Sequence, residues 1–209
     1  MALITDYASL QTHIADTLNR TDLTSVIPNF IQQFEQSAKD DFRLRRLSSR
    51  GTVSVSGDNL LMPDDLYSVE SWYHDGSTYF GPIETVGGDQ IGSLKAQFGE
   101  TGVPQFVSIV GGRARFAPVA DATYDTQMTY WQTVSSLSDT NTTNWLLNTR
   151  PDIYLYGALA EAHNYLKDPE KEDRTRVHLD RLIESHHLAA VDGQFGGTLS
   201  RRNISPIGG

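Results

Sequence analysis

The chain has 209 residues, no cysteine and a formal net charge of −9 at pH 7. This length suits one large domain or a domain carrying a sizeable insertion, and the lack of cysteine excludes disulfides, thiolate metal sites and cysteine nucleophiles. Residues 52–142 hold eleven acidic and three basic side chains while the flanks are nearly balanced, a distribution that repels phosphate and argues against a sequence-reading DNA binder.

The first predicted element is a helix over 6–19. Thr5 or Asp6 caps it, and Leu10, Ile14 and Leu18 share one face. Pro28 sits in the first turn of a second, longer helix predicted to reach about Leu47. Phe30, Ile31, Phe34, Ala38, Phe42 and Leu47 form its apolar stripe, and Arg43, Arg45 and Arg46 suit the carbonyl end of its last turn. From Gly51 the period changes to two. Thr52–Ser56 alternates as a half-buried strand does, and Gly57-Asp58-Asn59 marks a turn. Strands are expected near 60–62, 66–74 and 77–80, with His74–Ser77 as a tight connection and Asp64-Asp65 as a turn. A short helix is expected over 89–97, and Gly111-Gly112 joins strands 106–110 and 114–117 as a hairpin. Residues 124–133 alternate again, which brings the expected total to about six strands.

The helical period returns after Ser138. Helices are predicted over 141–149, 151–167 and 170–191, with Gly157, Ala158 and Ala162 small enough for close helix packing. The expected fold is α+β. N- and C-terminal helices (1–50 and 138–192) pack as one helical body, an antiparallel β domain (51–137) is inserted between them, and 193–209 form an extended, flexible C-terminal tail. That tail is glycine-rich, charged only at Arg201 and Arg202 beyond Asp192, and carries Phe195, Leu199, Ile204 and Ile207 as apolar anchors.

Chemistry-bearing patterns are sparse. The six histidines, His13, His74, His163, His178, His186 and His187, include no H-E-x-x-H pair. No Gly-x-Ser-x-Gly elbow and no phosphate-binding loop is present, so no catalytic, metal or cofactor residue is assigned. A small hydrolase with a dispersed carboxylate or histidine site remains an alternative, marked by a deep pocket holding two or more ionisable side chains with perturbed pKa. A carbohydrate-binding β module is another, requiring an exposed row of Trp72, Tyr73 or Tyr79. The opening residues carry no basic-then-apolar leader pattern, and no apolar run reaches the roughly 18 residues that span a membrane.

Two stretches are more specific. Residues 7–31, Tyr-Ala-Ser-Leu-Gln through Ile-Pro-Asn-Phe-Ile, and 137–162, containing Asn144-Trp-Leu-Leu147 and Tyr154-Leu-Tyr-Gly-Ala-Leu159, resemble a family of tailed-bacteriophage head–tail connector proteins. Met62-Pro-Asp-Asp-Leu66 and Gly102-Val-Pro-Gln-Phe106 resemble its β region, and the likeness runs from about residue 5 to 192. The resemblance implies a structural, non-enzymatic adaptor in the virion neck, made in the host cytoplasm. It implies a homo-oligomeric ring, usually of twelve subunits, below the portal protein that joins capsid to tail. Tail nozzle or tail fibre proteins are the expected partners on the other side, and genomic DNA passes through without sequence-specific binding. A tail tubular protein of the same virion is the nearest alternative. Within this reading Phe195, Leu199, Arg201, Arg202, Ile204 and Ile207 form a portal-docking tail, and Asp58, Asp121 and Asp125 face the DNA lumen or the tail.

Overall fold

A computed structural model of the chain describes residues 3–76 and 80–195, with side chains outside the description at 47–51, 80 and 191–195. In chain order the elements are α1 (Tyr7–Leu18), α2 (Ile27–Asp40), a 3-10 turn (Phe42–Leu44), β1 (Arg46–Gly57), β2 (Leu60–Leu61), β3 (Leu66–Asp75), β4 (Phe80–Pro82) and β5 (Glu84–Thr85). Then follow α3 (Ile91–Phe98), β6 (Thr101–Gly102), β7 (Phe106–Val110), β8 (Arg113–Ala117), β9 (Val119–Gln132), α4 (Trp145–Thr149), α5 (Pro151–Tyr165) and α6 (Pro169–Phe195). The α+β mixture is as the sequence predicts. The chain divides into two compact units, one of residues 1–44 with 137–209 and one of 45–136.

In the helical unit, α5 is the central element and touches α1, α2, α4 and α6. Ile153, Tyr154, Gly157, Ala158, Leu159, Ala160 and Ala162 are all buried along it, so it is apolar nearly all round rather than striped. α1 begins at Asp6, whose side chain accepts the Ser9 N–H (2.8 Å) while the Ser9 hydroxyl takes the Asp6 N–H (2.9 Å). α1 buries Leu10 and Ile14, and α2 buries Phe30, Ile31, Phe34 and Ala38. Phe34 meets Tyr154 edge-on at 5.4 Å. The ring of Phe34 lies where a Gly157 Cβ would be, only 2.2 Å from its nearest carbon, so α2 and α5 come this close only because residue 157 has no side chain.

The second unit has two sheets. One runs β1-β9-β3-β4, with β6 also pairing β9, and the other runs β2-β8-β7-β5. They share a core of Val53, Val55, Trp72, Met128 and Tyr130 from the first sheet against Val107, Ala114 and Phe116 from the second. Trp72 is buried there, meets Phe116 edge-on at 5.6 Å and donates to Thr126 Oγ1 at 2.8 Å. α3 packs on β7 and β8, with Phe98 and Phe106 rings 5.1 Å apart. Gly111 and Gly112 both have positive φ (59° and 72°), as a tight two-residue hairpin turn requires.

Several expectations are corrected. α2 stops at Asp40, and Asp41 turns extended (φ −77°, ψ 112°), so Leu47 and Arg46 lie on a strand instead of a last helical turn. The cause is non-local: β1 pairs with β9 from Arg46↔Gln132 onward, five residues before the sequence period changes. β9 likewise starts at Val119, and nine strands occur among the described residues, three of them only two residues long. The last helix continues to Phe195, into the segment expected to be extended. Of the predicted strand 77–80 only Phe80 lies within the described residues.

Candidate functional site

The most elaborate polar arrangement surrounds Glu35. This α2 residue faces α5 and is buried to 1% exposure. One carboxylate oxygen accepts the Leu137 N–H at 2.8 Å and the Tyr154 hydroxyl at 3.1 Å. Asn144 donates from its side chain to the Tyr154 oxygen at 2.5 Å, while its own side-chain oxygen caps α4 by accepting the Leu147 N–H. Burial first, then the neighbouring Glu35 carboxylate, push the Tyr154 hydroxyl well above its ordinary range. Tyr154 therefore stays protonated and donates. The network pins Leu137, the first residue of the returning chain, to α2 and α5.

A cavity of about 290 Å³ opens in the same unit between α2, the 3-10 turn and α6. Phe34, Ala38, Leu44, Leu179 and Ile183 form its apolar lining, and Asp41, Arg43, Arg176 and Asp180 its polar part. Arg43 holds Asp41 and Asp180 at 2.8 Å each, with Glu184 at 3.6 Å. Burial raises the Asp41 carboxyl, but hydrogen bonds from Arg43 outweigh it and hold the group below its usual value. Hydrogen bonds from Asp41 and Asp180 hold the Arg43 guanidinium above its own. Both groups are fixed in their charged forms. A general acid or base needs a pKa moved toward neutrality, so these shifts describe an ion-pair clasp of α6 onto the α2 end and give the hydrolase alternative no support.

The three acids proposed for a lumen or tail face lie in the second unit and already have partners. Asp58 binds Lys95 at 2.9 Å and accepts the Phe116 N–H at 3.3 Å, tying the β1–β2 turn to α3 and β8. Asp121 accepts from the Tyr124 hydroxyl (2.5 Å) and Asp125 from Ser54 (3.0 Å), and both are exposed. The acidic character expected of this unit is also weaker than the sequence suggests. With Arg45, Arg46 and Arg50 included, residues 45–136 hold six basic and ten acidic side chains. Its surplus is thus half of what residues 52–142 alone imply.

Of the docking-tail residues, Phe195 ends α6, with its side chain outside the description, and Leu199, Arg201, Arg202, Ile204 and Ile207 lie outside the described residues. Trp72 is a core residue and Tyr73 is half-buried, donating to Gln127 at 2.6 Å, so these two form no exposed aromatic platform; Tyr79 lies outside the described residues. Among the described residues no group of three His, Asp or Glu side chains is placed to hold a metal, and no helix is long and apolar enough to cross a membrane. Sequence reasoning missed Glu35 because its partners are 102 and 119 residues away in the chain.

The decisive observation is the match of residues 5–203 to the SU10 adaptor protein family model, which takes in both helical segments and the whole β unit. The chain belongs to the SU10 adaptor protein family. No curated protein matches it. Membership makes it a bacteriophage adaptor, a structural component of the virion that contacts other virion proteins.

Proposed function

We propose that this adaptor forms a homo-oligomeric ring, of twelve copies, directly below the portal, joining capsid to tail and continuing the channel through which DNA leaves. The family match over residues 5–203 carries the reading. Two features support it. The helical unit is stiffened by buried contacts along its central helix, as a load-bearing collar subunit requires. Large apolar side chains remain exposed on both units, including Phe42, Tyr165, Val177 and Leu188 on one and Leu61, Tyr67 and Val110 on the other, area suited to neighbours. The direct test is particle size by light scattering and electron microscopy, with and without purified portal. A closed ring under the portal is expected; a chain that stays monomeric on portal-bearing capsids refutes the proposal.

The C-terminal residues Phe195, Leu199, Arg201, Arg202, Ile204 and Ile207 dock on the portal in this reading, ordering only when bound. Deleting 193–209 then abolishes portal binding, and unchanged affinity of the truncated protein rules the docking role out. Asp58, Asp121 and Asp125 face the channel or the tail in the same reading. Asp58 contributes least to any such field, because Lys95 offsets its charge. Tail nozzle or fibre proteins bind the face away from the portal.

A further inference from the structure

Strand edges in the β unit are unequal. β2 and β5, the outer strands of one sheet, are two residues long, and β4, an outer strand of the other, is three residues long and ends in Pro82. Short strands and proline are the usual protection against edge-to-edge pairing. Two edges of the β1-β9-β3-β4 sheet have neither, and are interrupted only by register shifts against β9, at Arg50/Thr52 and Val55/Gly57 in β1 and at Leu66/Ser68 and Val69/Ser71 in β3. β1 is a twelve-residue outer strand with no proline and no lysine, paired on one side only among the described residues. Its ladder with β9 is regular over Arg46–Arg50 and again over Thr52–Val55. β3 is covered by β4 only at Tyr73–Asp75, so the outer edge of Tyr67–Ser71 has no strand beside it among the described residues. Tyr67, Ser68, Glu70 and Ser71 are exposed there.

Both open edges flank the same stretch of β9: Arg46 and Leu66 oppose Gln132, and Ser49 and Ser71 oppose Thr129. They therefore lie on opposite sides of one three-stranded ribbon and run in the same direction. Their charges are opposite. β1 carries Arg46 and Arg50 and no acid, whereas β3 carries Glu70 and Asp75 and no lysine or arginine, with Asp64 and Asp65 just before it. Pairing β1 with β1 joins two basic strands, and pairing β3 with β3 joins two acidic ones. Pairing β1 with β3 of another copy sets unlike charges together and satisfies open backbone groups on both.

We propose that a second copy of this chain is the occupant: the β1 edge of one subunit adds, in parallel, to the Tyr67–Ser71 edge of the next, so that the sheet continues from subunit to subunit. This contact is head-to-tail and leaves one free edge at each end of any open chain of subunits, and it closes into a ring when the rotation between subunits brings those two edges together. The inference rests on the ring reading above and names its interface.

Amide hydrogen exchange on the full chain, free and in the assembled collar, provides the test. Peptides covering 46–57 and 66–72 are expected to exchange about tenfold more slowly in the collar, with the hairpin at Gly111-Gly112 unchanged. A second measurement uses the natural absence of cysteine. Thr52→Cys or Ser54→Cys is combined with Ser68→Cys or Ser71→Cys in one chain, and the collar is oxidised. At least one combination gives a ladder of cross-linked multimers, while each single variant gives none. A single β1 variant that cross-links to a dimer overturns the head-to-tail geometry. A collar that forms with neither edge protected nor cross-linked overturns the interface but leaves the ring reading standing. A chain that forms no collar under any condition overturns both.

Discussion

Gly157 and Glu35 show how single residues set the helical unit. A methyl group at 157 meets the buried Phe34 ring at 2.2 Å, and Phe34 is itself held edge-on by Tyr154. Alanine is intrinsically better than glycine in a helix by about 1 kcal/mol, yet overpacking of this kind costs about 1–3 kcal/mol or more. Gly157→Ala is expected to lower stability by about 1–2 kcal/mol net, seen as an earlier urea midpoint. Shortening the ring in Phe34→Leu/Gly157→Ala recovers part of the loss relative to the sum of the single changes. Glu35→Ala strands the Leu137 N–H and removes one partner of the Tyr154 hydroxyl, a loss of about 2–4 kcal/mol. Glu35→Gln keeps an acceptor oxygen and costs less; equal unfolding midpoints for the two variants count against the network as described.

Among the elements, α6 buries little for its length. Ile183 is its only side chain buried outright among the described residues. Much of its docking uses histidines on aromatic rings: His178 on Tyr156 at 4.3 Å, His187 on Phe42 at 5.6 Å and His186 stacked on Trp145 at 6.0 Å. Burial, then the charges of Arg150 and His187, lower the His186 pKa from 6.5 against the pull of Asp152. Burial, then Lys171, lowers that of His163 as well. Below pH 6.5 the unfolded chain gains protons that the folded chain refuses, so stability present at pH 7.5 declines as the pH falls from 6.5 toward the folded values. Melting temperature measured from pH 7.5 to 5 is expected to fall over this window, and His186→Gln flattens the slope. A slope unchanged by that substitution refutes the assignment. Helix starts were legible in the sequence because their signals are local: Asp6 before α1, Pro28 near the start of α2, Pro151 opening α5. The α2 end was not, since Phe42 and Leu47 continue a helical spacing until the pairing of β1 with β9, some eighty residues on, overrides it. The same distance hid Glu35. A buried carboxylate inside an amphipathic helix has no sequence signature when its partners arrive more than a hundred residues later. The tail anchors and the acids Asp58, Asp121 and Asp125 stand out by composition and have roles only within the family resemblance; only the acids fall among described side chains, where each has a partner of its own.

For the whole molecule, chain order matters because one unit is contiguous and the other is not. Residues 45–136 close on themselves, whereas α1 and α2 find their principal partner, α5, only after that unit has been made. During synthesis at about 5–20 residues per second, the first two helices leave the ribosome on the order of ten seconds before α5 does. Their apolar stripes, Leu10 and Ile14 on one and Phe30, Ile31 and Phe34 on the other, meanwhile lack the α5 face that covers them. Nascent chains stalled once Ser136 has cleared the ribosomal exit tunnel are therefore expected to yield a protease-resistant β fragment and a readily digested amino-terminal pair of helices. Equal resistance of both parts would contradict this order. Vectorial folding thus leaves a sticky leading end of the kind chaperones exist to hold, and it makes the arrival of α5 the step at which a newborn subunit stops being an aggregation hazard.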